Sequence, residues 1–353
     1  MKGLLMMKIC VIGAFGFDTM PTGGQPVKTR NLYKLLSEKY GTDEVSYIET
    51  YGWKKHPFKM MNTVRRAVKQ SENVIMLPAH NGVKVFAPLL LRYAKGTAAK
   101  LFYDVIGGWL PQKTAADQKL AGHLRKFDGI WVETSSMKTA LDSQKFSNVS
   151  IVPNFKFIAP LMPEELPPLE KPYRLCTFSR VMKEKGVEDA VEAVIRVNND
   201  LGKTVYTLDI YGPVDKAYQE RFEMICSNFP DYIQYKGIVR PDESIAALKG
   251  AFALLFPTHF ATEGIPGTIL DAYAAGVPIV TSKWENCGDI FDDGTGWGYE
   301  MSNKQGLYMI LSQICHDTTK WNDGREGCLK KYACFSADEA FSRIQKQLSG
   351  SRV

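Results

Sequence analysis

Residues 256–281 read FPTHFATEGIPGTILDAYAAGVPIVT and have the punctuation of a strand, a loop, a helix and a second strand. Pro266 and Gly267 open a helical run, Gly276 stops it, and Pro278 opens the next strand. At such a start the backbone N–H groups of Gly264, Gly267 and Thr268 lack carbonyl partners. A helix N-terminus of this kind favours an anion such as a diphosphate. Glu263 stands just before this nest. Asp271 follows about one turn into the helix, where its carboxylate would reach ribose hydroxyls. The same residues also fit a plain turn flanked by two solvated acids.

Other chemistry-bearing residues are more scattered. Arg180 and Lys185 lie in FSRVMKEKG, and taken alone they fit a solvated loop. His80, in LPAHNG, is a lone histidine of the kind that is more often structural than catalytic. His259 lies four residues before Glu263 and reads as a pocket wall, although an inverting transfer would want a general base there. The five histidines show no metal spacing, and no D-x-D pair occurs, so no metal is expected. The seven cysteines form no C-x-x-C pair and are odd in number, which argues against a disulfide framework and suits a reducing cytoplasm.

These residues need a scaffold. A chain of 353 residues predicts about two domains. Short apolar runs alternate with helical patterns, which implies βαβ units and parallel sheets. The first series places strands at 8–13, 45–49, 73–77, 100–105, 129–133 and 149–152, with helices at 28–40, 59–70 and 115–127. Six prolines within 153–172 then mark a break. The second series places strands at 173–178, 205–211, 233–236, 252–256 and 278–281. The expected plan is α/β: a domain over 1–160, a proline-rich linker over 161–172, a domain over 173–335, and a terminal helix over 336–353 packing back on the first domain. Two doubly wound, Rossmann-like domains facing a central cleft is the economical architecture, with ligands beyond the carboxyl ends of the strands.

The residues also carry a family resemblance. Glu263 to Asp271 is similar to the E-x7-E signature of the retaining glycosyltransferases of family 4, the group 1 transferases with the GT-B fold; here it reads E-x7-D. PTGGQPVKT (21–29) resembles the glycine-rich loop after the first strand, and IVPNF (151–155) the segment closing the first domain. FSRVMKEKG (178–186), DIYG (209–212) and YKGIV (235–239) resemble successive strand ends of the second domain. The resemblance implies that Arg180 and Lys185 neutralise the departing diphosphate, a role that suits two cations. It implies that Glu263 contacts the transferred sugar and Asp271 the ribose. Gly264, Ile265, Pro266, Gly267 and Thr268 would line the donor site. Gly23 and Gly24 would let backbone approach the phosphate. His80 would stand on the acceptor side, and Asn154 at a hinge. Two departures stand out: Asp271 is one methylene shorter than the usual Glu, and Ser179 replaces a common Gly.

The resemblance therefore implies transfer of a sugar, with retention, from a UDP- or GDP-sugar to a saccharide or polyprenyl-diphosphate-linked acceptor, as in bacterial surface polysaccharide synthesis. A sugar-nucleotide epimerase on the same fold is the alternative. The nucleotide-sugar is a substrate, so no cofactor is expected. GAFGFDT in the first βα turn lacks G-x-G-x-x-G, which argues against a nicotinamide enzyme.

Charge adds one expectation. Residues 1–160 hold 23 Lys and Arg against 11 Asp and Glu, a balance of +12, whereas the remainder holds 21 against 27, or −6. No nucleic-acid recognition motif accompanies the basic half, so nucleic acid is not an expected partner. An anionic membrane surface fits better, with KVFAPLLLRYAKG (84–96) as the contact segment; an ordinary core-facing helix is the other reading. The N-terminal MKGLLMMKICVIG has no small-residue cleavage site, so no signal peptide is expected, and both Met1 and Met7 fit a start. The expected location is the cytoplasm, peripheral on the inner face of the plasma membrane.

Overall fold

In the computed structural model, which describes residues 8–17 and 24–350, the chain divides into two units. The first comprises Met1–Lys156 and Ala337–Val353, and the second Phe157–Ser336.

The first unit runs β1 (Ile9–Gly13), α1 (Gly24–Tyr40), β2 (Val45–Glu49), α2 (Pro57–Gln70), β3 (Asn73–Met76), α3 (Asn81–Ala94), β4 (Lys100–Asp104), α4 (Leu110–Ala116), α5 (Gln118–Leu124), β5 (Gly129–Val132), α6 (Ser135–Ser143) and β6 (Val149–Ile151). Its six strands pair in parallel in the order β2-β1-β3-β4-β5-β6. The central strands are apolar on both faces because helices cover both. Helix was expected unbroken over 115–127. Instead Asp117 leaves helical geometry at φ −128°, ψ 84°, and its side chain accepts from the Leu120 amide, so α4 ends and α5 begins there.

The segment expected to meet a membrane is core. Within α3, Val83, Phe86, Ala87 and Leu90 are fully buried, and Leu89 and Tyr93 pack against the same cluster. Lys84 points outward and pairs with Asp117 at 2.8 Å. The 3.6-residue stripe of this helix faces β-sheet rather than lipid. Among the described residues, no helix is long and apolar enough to cross a membrane.

The second unit runs β7 (Tyr173–Phe178), α7 (Val187–Asp200), β8 (Tyr206–Tyr211), α8 (Gln219–Cys226), β9 (Ile233–Gly237), α9 (Ser244–Leu248), β10 (Ala253–Phe256), α10 (Gly267–Ala274), β11 (Ile279–Lys283), β12 (Gly296–Glu300), α11 (Gly306–Ile314) and α12 (Thr319–Tyr332). Its strands are again all parallel, in the order β12-β11-β10-β7-β8-β9. This is the Rossmann order, and its direction reverses between β7 and β10.

The proline-rich stretch is not a free-standing linker. It belongs to the second unit: the Leu161 amide donates to Ala274 O at 2.8 Å, and Leu166 packs where Gly276 has no side chain. Its prolines over 161–172 are exposed or half-buried and hold the chain extended. The last helix, α13 (Ala337–Ser349), lies against α1 of the first unit. Phe341 meets Tyr40 edge-on at 5.7 Å, Asp338 pairs with Lys39, and Ile344 and Leu348 are buried.

Candidate active site

The reversal between β7 and β10 leaves a crevice at their carboxyl ends, and the loops after these two strands line it. The loop after β7 ends in a short 3-10 turn over Lys183–Lys185 and then Gly186, at φ +69°. A Cβ on Gly186 would lie 2.0 Å from Pro257 O, so only glycine lets the two loops close on each other. Gly212 acts likewise behind Arg180, where a Cβ would meet Ser179 O at 1.9 Å.

This closure brings Lys185 onto Glu263. The Lys185 ammonium donates to Glu263 Oε1, and both side chains remain partly open, at 17% and 16% exposure. Thr258, buried at 1%, donates its hydroxyl to the same oxygen at 3.2 Å. Asn286 fixes the loop by donating to Glu263 O at 2.9 Å, and Ser282 donates to Thr258 O at 2.6 Å. The Lys185 ammonium also lies 5.3 Å and 5.1 Å from the ring centres of Phe256 and Phe260. Apolar rings around a cation exclude water and strengthen its field. Thr258 and Asn286 belong to no motif in the sequence; their only mark is a position just beyond a strand end.

The other candidates stand differently. Arg180 is exposed, with its guanidinium 3.6 Å from Asp215 Oδ2. Gly264 and Ile265 are buried, and Pro266, Gly267 and Thr268 are half-buried at the start of α10, which no side chain caps. Thr268 spends its hydroxyl on Phe178 O. Asp271 is only 1% exposed. Burial, with the Asp271 carboxylate adding to it, pushes the nearby Tyr332 phenol up to about 12. The structure thus places Asp271 in the interior of the unit, within α10. His259 is tied to α7: its Nε2 lies 2.8 Å from Asp189 Oδ2, and its amide donates to Glu184 O.

In the first unit, Gly24 is the first residue of α1, and a Cβ there would meet nothing within 4 Å. Gly23 lies outside the described residues. Asn154 folds onto its neighbour, accepting from the Phe155 amide at 3.0 Å. His80 follows β3, at the reversal of the first sheet, with φ +44° and its ring stacked on Trp109 at 4.5 Å. Such backbone geometry is costly for a side-chain-bearing residue and persists only where surroundings enforce it. Burial, then the charge of Lys113, pulls the His80 imidazole below its ordinary value. Among the described residues, no group of three or more His, Cys, Asp or Glu side chains is placed to hold a metal ion.

Two all-parallel, doubly wound sheets, the first in the order 2-1-3-4-5-6 and the second in the Rossmann order with a cation–carboxylate pair at its reversal, have the architecture of the GT-B class of glycosyltransferase fold. The comparisons agree. Residues 172–317 match the family model described as glycosyl transferases group 1. The amylovoran biosynthesis glycosyltransferase AmsK of Erwinia amylovora is 26% identical over 151 residues, which are 41% of this chain and 37% of AmsK. The GtfA subunit of a Streptococcus pneumoniae UDP-N-acetylglucosamine–peptide N-acetylglucosaminyltransferase is 30% identical over 110 residues, 31% of this chain and 20% of GtfA. These matches span less than two-fifths of the curated relatives' lengths. Among solved structures, Anabaena HepE in complex with UDP has a TM-score of 0.73 over 97% of this chain and 100% of HepE, at 14% identity. That likeness is one of fold.

Proposed function

We propose that this chain is a glycosyltransferase of polysaccharide synthesis that moves a sugar from a nucleoside diphosphate donor to a saccharide or lipid-linked acceptor, with retention. The observation that carries the reading is the Lys185–Glu263 pair at the reversal between β7 and β10, inside the segment matched by the group 1 model. AmsK, named for amylovoran biosynthesis, supports the polysaccharide assignment, and HepE, solved with UDP, makes a UDP-sugar the first donor to test.

In this reading the diphosphate lies at the start of α10, whose amides and dipole favour negative charge. As the anomeric bond breaks, charge accumulates on the leaving diphosphate. Lys185 and Arg180 stabilise it, and because these cations are already in place the stabilisation needs no reorganisation at the moment of reaction. Lys185 exchanges Glu263 for phosphate, which frees the Glu263 carboxylate for the sugar hydroxyls. The leaving phosphate oxygen takes the acceptor proton on the same face, so retention needs no separate base. His80, whose imidazole burial and Lys113 hold below its ordinary value, stands on the acceptor side.

The test is a panel of UDP- and GDP-sugars with oligosaccharide or polyprenyl-diphosphate acceptors, with the product's anomeric configuration read by NMR. Transfer with retention that survives EDTA is the expected result. Inverted product would overturn retention, and a metal requirement would overturn charge neutralisation by Lys185 and Arg180 alone. Donor isomerisation without acceptor would point to the epimerase instead.

A further inference from the structure

Residues 50–71 carry Lys54, Lys55, Lys59, Arg65, Arg66 and Lys69 and no Asp or Glu. They supply half of the positive balance of residues 1–160. Among the described residues, none of these six cations pairs with a carboxylate, although most cations elsewhere in the first unit's helices do so. All six are exposed.

The backbone holds them on a fixed element. The Glu49 carboxylate at the end of β2 accepts from the Tyr51 amide at 2.6 Å. A 3-10 turn over Trp53–Lys55 leads into α2, whose second position is Phe58. The inner face of α2 is settled: Val64 and Val68 are buried, Met60 and Ala67 pack on the core, and Trp53 meets Phe86 edge-on at 5.5 Å. The 3.6-residue period then puts Phe58, Arg66 and Lys69 on the opposite side, with Met61 and Arg65 along the border of the buried stripe.

Phe58 is 82% exposed, Tyr51 61% and Met61 38%. Folding thus leaves two aromatic rings and a thioether in water amid unpaired cations. A soluble polyanion would use the cations but has no use for the apolar side chains. A bilayer with anionic headgroups uses both, because the rings enter the headgroup–acyl boundary while the cations stay at the phosphates. We propose that the 51–70 element docks the first unit onto an anionic lipid bilayer, with Phe58 as the inserted side chain. This goes beyond sugar transfer and does not depend on it, since vesicle binding needs no donor.

Each cation close to an anionic surface strengthens binding roughly fivefold, and the attraction fades within about 10 Å at 0.1 M salt. The experiment is co-sedimentation of the full chain with phosphatidylcholine vesicles, with and without phosphatidylglycerol, at low and high salt. Binding is expected only to the anionic vesicles and is lost in high salt. The triple variant Lys54→Glu, Lys55→Glu, Lys59→Glu should weaken it more than tenfold. Phe58→Ala should weaken it about fivefold while leaving the thermal midpoint and the salt dependence unchanged. Reversing Lys119, Lys126 and Lys145, which are also exposed, should have less than half that effect on a logarithmic scale. Equal binding to neutral vesicles, no binding to anionic ones, or equal effects of the two triple variants would overturn the proposal. So would polyphosphate binding as tight as vesicle binding with Phe58→Ala silent in both.

Discussion

Each unit sets a lysine against carboxylates near the carboxyl ends of its strands, and the two arrangements differ in burial. In the first unit Lys28, on α1, is 2% exposed. Its ammonium donates to Val105 O at 2.6 Å and Glu133 at 2.9 Å and lies 3.0 Å from Asp104. That accounts for all three of its protons. In the second unit Lys185 has one carboxylate, two aromatic neighbours and an opening to solvent. The closed cluster has nothing left to offer a ligand and serves to hold α1 on β4 and β5. The open pair can be exchanged for substrate. Pairing alone does not mark a site; what marks it is a pair whose partner can be replaced.

The electrostatics follow the same division. Burial pulls the Lys28 ammonium down, but Asp104 and Glu133 outweigh it and leave it above its ordinary value. Burial, with repulsion from Glu133, pushes the Asp104 carboxyl up to about 6 despite Lys28. One cation thus faces two buried carboxylates, and the second is incompletely compensated.

The largest effect that tests this contrast is Lys28→Met, which leaves two carboxylates buried without their cation. Urea unfolding should show a loss of about 3–5 kcal/mol, against about 1 kcal/mol for Lys185→Met. Equal losses would mean that burial does not separate the two clusters. Next is Glu263→Gln. On the glycosyltransferase reading, kcat and kcat/KM should both fall on the order of 10²-fold with the thermal midpoint almost unmoved. Near-native turnover would reduce the open pair to a structural one.

A third effect concerns pH. Asp104 titrates near 6 in the native protein and near 3.8 in the unfolded chain, so the native state holds more protons between those values. The Asp104 contribution to stability is therefore fully present below about pH 4 and is lost as pH rises through about 6, on the order of 3 kcal/mol in all. The difference between wild type and Asp104→Asn in urea midpoints from pH 4 to 7 isolates it; parallel curves would show that Asp104 ionises as freely in the fold as outside it. The smallest effect is Thr258→Val, which removes a hydroxyl bonded to Glu263 Oε1 and to the Phe260 amide. About 1 kcal/mol of stability should go, with a several-fold loss of kcat. An unchanged kcat would show that Glu263 needs no help in staying oriented.

The open pair was partly legible and the closed cluster was not. Glu263 and Lys185 drew notice because each sits beside glycine and proline punctuation that resembles a known family's. Their contact, across 78 positions, was not itself visible. Lys28 and Glu133 lie 105 positions apart, and each reads as an ordinary charged residue at an element end. The α3 stripe was visible in the sequence, but its reading as a lipid contact required knowing what lay beneath it. Phe58, the more exposed residue, gave no comparable signal because one aromatic among lysines has no period.

The sequence by itself determined most strands, the main helices and the turns of both units. Those are written in alternation, in proline and in glycine within a few residues, so the pattern can be read from neighbours along the chain even though packing supplies most of the energy. It also determined the break near 153–172 and the charge imbalance between the two halves. Only the tertiary structure decided that Asp271 is buried, that Lys28 is locked, that Glu263 stays open and that α2 shows its cations to solvent. Burial is set by what packs on each face, so the cost of a charge, and with it the availability of that charge for chemistry, appears only once distant segments have met.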